Sequence, residues 1–255
     1  MPAENKQRDH YETIHSAYAA HYYDRAALSY RRIFIFRPLL NGLDLNGADV
    51  ADLACGDGYN SKLLKEFFPD ARVEGFDISP TACSAYRQLV GHEAHECDLL
   101  VEAPADRRFD VAMIVGGLHH MALDLEGALS NIGAMLKPNG LLLAIEPNKR
   151  FFLNGVREAW YDKDHYFDAA SERPLGVEEI ARAGRGAFRL ELVRYFGAGP
   201  AYFLILNSLI LRVPLWLKLA IAWPLMAGDA LGSLLPAPFH PAFVTRWRYT
   251  PVSEP

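Results

Sequence analysis

The chain has 255 residues, 51% of them hydrophobic, and a formal net charge of −5 at pH 7. That length and apolar fraction supply the core of one large domain with insertions, or of two small ones, and the negative balance gives no support to a protein held to nucleic acid by a basic surface. The three cysteines, Cys55, Cys83 and Cys97, have no metal-ligand spacing and cannot all pair, so no metal site is expected and a reducing compartment fits. Met1 to Glu12 is polar, so no secretory leader is expected.

Aromatic and aliphatic residues recur at helical spacing between Tyr11 and Leu40: Tyr11, Ile14, Tyr18 and Tyr22, then Ile33, Phe34 and Phe36. Two helices are predicted there, closed by Pro38 and Asn41-Gly42, forming a cap over residues 1–42. Residues 48–54 read as the first strand and run into Cys55-Gly56-Asp57-Gly58, after which a helix is predicted over 60–68. A strand that turns over glycines into a helix leaves backbone N–H groups where a nucleotide-like ligand can settle. The second strand, 72–77, ends in Asp77, 19 residues after Gly58. An acid at about that distance is placed to accept hydrogen bonds from ribose hydroxyls. The turn therefore reads as a site for a nucleoside-bearing cofactor.

The alternation continues with helix 80–89, strand 93–97, strand 109–115, helix 123–136 and strand 140–146. Lys137-Pro138-Asn139-Gly140 is predicted as a turn before the last of these. Such a series gives a parallel sheet wrapped by helices on both faces. It breaks from Pro147 to Ser171, where Phe151, Phe152, Trp160, Tyr161, Tyr166 and Phe167 lie among charged residues. An insertion at that edge of the sheet can cover a substrate or pack as a surface helix pair. Residues 188–195 read as a sixth strand and Ala242 to Thr250 as a seventh. Between them, Ala201 to Leu235 carries only Arg212, Lys218 and Asp229 as charges. Pro214 and Pro224 break it short of a membrane span, so two or three short hydrophobic helices are predicted. Phe203, Leu206 and Ile210 fall on one helical face, and Leu215, Leu219 and Ala222 on another. Core or subunit packing is the first expectation for them and lipid the second, with a hydrophobic acceptor compatible with either.

Asp52-Leu53-Ala54-Cys55-Gly56-Asp57-Gly58 resembles the glycine loop of class I S-adenosylmethionine (SAM)-dependent methyltransferases, acid-x-Gly-x-Gly-x-Gly, with Ala54 in place of the first glycine. Phe109-Asp110-Val111 and Leu136-Lys137-Pro138-Asn139-Gly140 also recur in that family, and the resemblance covers roughly Asp49 to Glu146. It implies an α/β fold: a Rossmann-like, doubly wound, seven-stranded sheet with helical caps, its seventh strand antiparallel beside the sixth. The whole chain, 1–255, is expected to form one domain with insertions over 147–175 and 200–240. SAM is the implied cofactor, with Asp77 and Ile78 at the ribose, Asp98 on the adenine amino group and Leu99 against the ring. Asp52, Ala54, Gly56 and Gly58 would surround the methionine moiety, where the Asp52 carboxylate suits a cationic end; Tyr18, Tyr22 and Tyr23 could close over it. For Asp98 a helix-capping role is the competing expectation.

Val115-Gly116-Gly117-Leu118-His119-His120-Met121 is similar to the loop after the fourth strand in many small-molecule methyltransferases. Gly116 lets a cofactor lie across the strand end. Histidine titrates near neutrality, which suits a base for a phenol or alcohol, and His119 is nearer the strand than His120. Glu146 could contact substrate or steady a histidine, with Trp160, Tyr161 and Tyr166 as further substrate candidates. The expected activity is methyl transfer to an oxygen or nitrogen of a small, hydrophobic or aromatic molecule in the cytoplasm. A homodimer or peripheral membrane contact through 201–235 stays open, and no nucleic-acid partner is expected. A nicotinamide-dependent oxidoreductase is the alternative, although Ser61 stands where its fingerprint carries a third glycine. A catalytically silent SAM-fold binding partner is a further alternative.

Overall fold

The computed structural model describes residues 22–104, 107–161, 173–207 and 213–251. Tyr11, Ile14, Tyr18, Tyr166, Phe167, Ile210 and Arg212 lie outside the described residues. Asp24 caps helix α1 (Arg25–Tyr30), its Oδ1 accepting the N–H groups of Ala26 and Ala27 at 2.9 Å. The helix continues through a π-helical segment, Arg31–Phe36, into α2 (Arg37–Leu40). The described half of the predicted N-terminal cap is thus continuous rather than broken at Pro38, which stands just after the change from π-helical to α-helical winding, a place where a helix absorbs a proline as a local irregularity.

Strand β1 (Asp49–Leu53) is followed by α3 (Tyr59–Phe67), β2 (Arg72–Asp77), α4 (Pro80–Val90) and β3 (Ala94–Glu96). Helix α4 begins where its sequence dictates: Ser79 Oγ accepts the Ala82 N–H at 3.0 Å, Pro80 opens the helix, and Gly91 closes it at φ 76°. Next come β4 (Phe109–Val115), a 3-10 helix (Leu118–Asp124), α5 (Leu125–Met135), β5 (Leu136–Pro147) and α6 (Asn154–Tyr161). The chain ends with α7 (Val177–Ala183), β6 (Phe188–Phe196), a π-helical segment (Tyr202–Leu206), α8 (Leu215–Gly232) and β7 (Ala242–Tyr249).

The sheet order is β3-β2-β1-β4-β5-β7-β6. Strands β1 to β5 are parallel, and β7 runs antiparallel between β5 and β6. Both faces of the sheet are covered, and the strands alternate strictly. Val50, Val111, Met113, Leu141 and Leu143 point to the side of α1, α3 and α8. Ala51, Leu53, Ala112, Ile114, Leu142 and Ala144 point to the side of α5 and α7.

One predicted turn proves to be part of a strand. The register jumps from Phe109 opposite Leu136 to Val111 opposite Leu141, so Lys137-Pro138-Asn139-Gly140 forms an irregularity inside β5. Asn139 takes the left-handed φ of 64°, which asparagine tolerates better than most residues.

The apolar segment after β6 folds against α1 through its charges. The buried face of α8 is Lys218, Ala222, Met226 and Asp229, whereas Leu215 and Leu219, grouped with Ala222 on sequence, point outward. Lys218 Nζ donates to Asp24 Oδ2. Tyr30 Oη donates to Asp229 Oδ2 at 2.6 Å, and Asp229 also accepts the N–H groups of Ala201 and Tyr202 at 3.0 and 3.2 Å. Burying a charge is costly unless it is paired, so these partners decide which face of α8 turns inward.

The glycine turn yields a stability test. Gly58 has φ 88°, and a Cβ there would collide with Val90 and lie 2.6 Å from Tyr86. Ala54 already sits at φ 49°. Gly58→Ala should cost about 3 kcal/mol from left-handed strain plus overpacking, lowering Tm by roughly 6–12 °C. For Ala54→Gly, relief of strain offsets the added unfolded-state entropy, so Tm should hold within about 3 °C. Calorimetric melting curves check both; an unchanged Tm for Gly58→Ala would contradict the close packing.

Candidate functional site

The carboxyl ends of β1, β2, β4 and β5 lie side by side, and each contributes a loop or a side chain. The β1 loop runs Ala54 to Gly58 and enters α3 directly. Gly56 at φ 52° and Gly58 at φ 88° take backbone conformations that L side chains rarely adopt. The loop is tied to β2 by two hydrogen bonds: the Cys55 N–H donates to the Phe76 carbonyl at 3.1 Å and the Gly56 N–H to Asp77 Oδ2 at 2.9 Å. The other Asp77 oxygen accepts the Ser79 N–H at 2.9 Å. A carboxylate oxygen has two lone pairs, so holding the loop and accepting a ligand hydroxyl are compatible. Ile78, half-buried, follows it.

Asp52 lies beneath the same loop. Its Oδ2 accepts from Ser61 Oγ at 2.7 Å, and Ser61 Oγ also lies 2.8 Å from Tyr86 Oη. Its Oδ1 is buried with no hydrogen-bond partner. Burial pushes the Asp52 carboxyl up to about 8, with Asp77 adding to the shift and the Ser61 bond opposing it. An orphaned carboxylate oxygen behind a glycine loop suits a cationic group. Sequence reasoning noticed Ser61 only as the residue replacing a third glycine; here it orients Asp52.

The N-terminal helix reaches the same end of the sheet. Tyr23 stacks on Tyr59, the first residue of α3, at 4.5 Å, and Asn60 Nδ2 donates to Tyr23 Oη at 3.5 Å. The buried Arg31 guanidinium lies 4.3 Å and 4.7 Å from the ring centres of Tyr22 and Tyr23. Burial pushes the Tyr23 phenol up to about 12, so it stays a neutral hydrogen-bonding group. Arg31 gave no signal in the sequence, since a lone arginine inside a helical pattern normally reads as a solvated position.

The loop after β4 abuts the glycine loop. A Cβ on Gly117 would lie 3.0 Å from the Ala54 Cβ and 2.6 Å from Ile114. Gly116, at φ 68°, turns the chain there. Glu146, buried at the end of β5, collects this loop. Its Oε1 accepts the N–H groups of Gly117 and Leu118 at 3.2 and 2.8 Å, and its Oε2 accepts that of His119 at 3.2 Å. His119 Nδ1 lies 2.8 Å from Glu146 Oε2. Three backbone N–H groups already donate to this carboxylate, a geometry that favours the ring tautomer with the proton on Nδ1 and Nε2 bare. The His120 ring lies 4.1 Å from that of His119 at 35°.

The remaining candidates divide. Asp98 Oδ1 accepts the Leu100 N–H at 3.0 Å, a local capping contact. Leu99 is buried in the core on the α5 side rather than presented at the surface. Trp160 and Tyr161 close α6, while Tyr166 and Tyr18 lie outside the described residues. Ser79 and Ser61 thus join the site through backbone and buried polar contacts that side-chain spacing does not reveal, whereas Glu146 was a candidate from its place at the strand end and lies against His119.

Residues 51–142 match the methyltransferase domain family. Over 109 residues, 41% of this chain and 38% of the relative, the sequence is 32% identical to a malonyl-[acyl-carrier protein] O-methyltransferase of Acetivibrio thermocellus. Over 104 residues, 40% of each chain, it is 32% identical to a trans-aconitate 2-methyltransferase of Variovorax paradoxus. The match therefore spans about two fifths of the length of these curated relatives. Among solved structures, a SAM-dependent methyltransferase of Thermotoga maritima superposes with a TM-score of 0.64 at 15% identity, covering 95% of this chain and 99% of that one. That likeness extends the shared fold beyond the matched segment. Residues 51–142 thus carry a methyltransferase domain, and the seven-stranded sheet built around them has the fold of that SAM-dependent methyltransferase.

Proposed function

We propose that the protein is a SAM-dependent methyltransferase acting on an oxygen or nitrogen of a small, hydrophobic molecule, with His119 as the base. The observation that carries this reading is the His119–Glu146 pair in a loop that abuts the glycine turn. Asp77 would hold the ribose hydroxyls, Gly56 and Gly58 give the backbone room to approach, and Asp52 faces the ammonium end. A cationic ligand end would draw the Asp52 proton off and pair with the resulting carboxylate, a gain that a pyrophosphate-bearing cofactor cannot make. SAM, when bound, supplies an activated methyl group and needs no protein nucleophile.

The protein's share of the chemistry is placement and proton removal. His119 Nε2 can take a proton from an acceptor hydroxyl or ammonium, and buried Glu146 steadies the imidazolium that results. His120 flanks the ring and limits its rotation. The exposed apolar side chains Phe152, Leu153 and Val156, just beyond the end of β5, favour an acceptor with hydrophobic surface. The described chain would then work as one methyltransferase domain, with 147–175 beside the acceptor.

Calorimetry with SAM tests the cofactor site. Asp77→Ala should weaken binding roughly a hundredfold, and affinity within about a factor of two of the parent would show the ribose site to be wrongly placed. Asp52→Asn in the same series should also weaken binding, yet should stabilise the free protein at alkaline pH. The folded-state value of about 8 lies above the unfolded value of about 3.9. The folded protein therefore holds an extra proton between them, and its stability falls as pH rises through that window.

An acceptor screen read by mass spectrometry, with cell extract and SAM, tests the activity. With an acceptor in hand, His119→Ala should lose roughly 10²–10⁴-fold in rate. Glu146→Gln should lose a comparable factor and change the pH profile, because glutamine no longer fixes the same tautomer. Full turnover in both variants would reduce catalysis here to proximity alone.

A further inference from the structure

Helix α8 is built inside out. The two charges it carries, Lys218 and Asp229, are buried against α1, and its solvent side is apolar. Trp216 is 71% exposed and Trp223 72% exposed, with Leu215 and Leu219 beside them on the same face. The surface continues through Leu231, Leu234 and Leu235 to Phe239, whose ring lies 5.4 Å from that of exposed Phe152. A helix facing water keeps its charges outward and its apolar stripe inward; this one does the reverse. The two tryptophans alone expose on the order of 350 Å², taking about 250 Å² for a whole side chain. With the leucines and phenylalanines the patch exceeds the roughly 300–600 Å² of the largest apolar patch on an ordinary monomer.

We propose that this face docks on the surface of a lipid bilayer containing anionic lipid, with α8 lying in the interface. No described helix is long and apolar enough to cross a membrane, and Pro224 divides α8 at its middle. The geometry is therefore that of a helix lying along the interface. Trp216 and Trp223 are seven residues apart, about two turns along one face, and an indole presents an apolar body with a polar N–H suited to the headgroup level.

Charge selects lipid as the occupant. On a chain of net charge −5, the stretch that borders the patch at Phe152 and Val156 carries the exposed pair Lys149 and Arg150, and no acid before Glu158. Lys149 and Arg150 are exposed, and their pairings with Glu179 and Glu178, at 3.4 and 3.5 Å, lie at the surface where they are easily exchanged for phosphate. Such a basic border complements anionic headgroups. The border follows β5 directly, so docking sets the carboxyl edge of the sheet beside the membrane, where a hydrophobic acceptor concentrates. This assignment goes beyond the catalytic reading and does not depend on it.

The test is co-sedimentation of the full chain with vesicles of phosphatidylcholine alone or mixed with phosphatidylglycerol, together with tryptophan fluorescence. The parent should sediment with the mixed vesicles, shift its emission to the blue and release partly at high salt. The double variant Trp216→Ser, Trp223→Ser, with an unchanged melting curve because both positions are exposed, should bind at least about tenfold more weakly. Replacing Lys149 and Arg150 by serine should remove the preference for phosphatidylglycerol. Absence of sedimentation with either vesicle overturns the proposal, as does equal binding by the double variant. A dimer seen by light scattering that the double variant abolishes would likewise overturn it, assigning the face to a second copy of the chain.

Discussion

Two buried carboxylates at strand ends hold the site together. Asp77, closing β2, accepts N–H groups from the β1 loop and from its own following turn. Glu146, closing β5, accepts three consecutive N–H groups and the His119 ring from the β4 loop. A buried carboxylate is costly unless several donors meet it, and here the donors are backbone groups of the very loops that must be shaped. Desolvation is offset and the loops are fixed by the same bonds. The shape of these loops is therefore set by the chain's own hydrogen bonds, which is the condition under which positioning lowers a barrier.

The same logic places the outer elements. Asp24 caps α1 and receives Lys218, while Tyr30 and two backbone N–H groups receive Asp229. These bonds choose the face of α8 that turns inward and, by exclusion, leave its tryptophans outside. A segment that reads as greasy throughout becomes two-sided because two charged residues cannot be left unpartnered in the core. The N-terminal helix, fixed by those bonds, in turn brings Tyr23 against Tyr59 at the mouth of the glycine turn.

Much of the sheet was legible in the sequence because both of its faces are buried, which forces runs such as Val111 to Val115 and Leu141 to Ile145 to be apolar throughout. The antiparallel seventh strand between the fifth and sixth came from the family resemblance, not from periodicity. Lys137 to Gly140 misled because turn-forming residues also suit an irregularity inside a long strand. In the site, Gly56, Gly58 and Asp77 were legible because the backbone conformation and the spacing demand them. The choice between His119 and His120 was not, since it rests on Nδ1 of one ring reaching a carboxylate 27 positions away. The pairing of Ser61 with Asp52 and the inward turn of Lys218 were hidden for the same reason: a buried polar residue is explained by its partner, and partners meet only in three dimensions.

In the function proposed for this site, Glu146 fixes His119 as a base with Nε2 bare. Heteronuclear NMR of protein labelled with ¹⁵N in histidine reads that state directly, with Glu146→Gln assigning the resonance. At a pH where the ring is neutral, the account predicts a protonated Nδ1 and an unprotonated Nε2 on His119, and loss of that preference in the variant. A His119 that carries its proton on Nε2, or that is indifferent to Glu146→Gln, would contradict it.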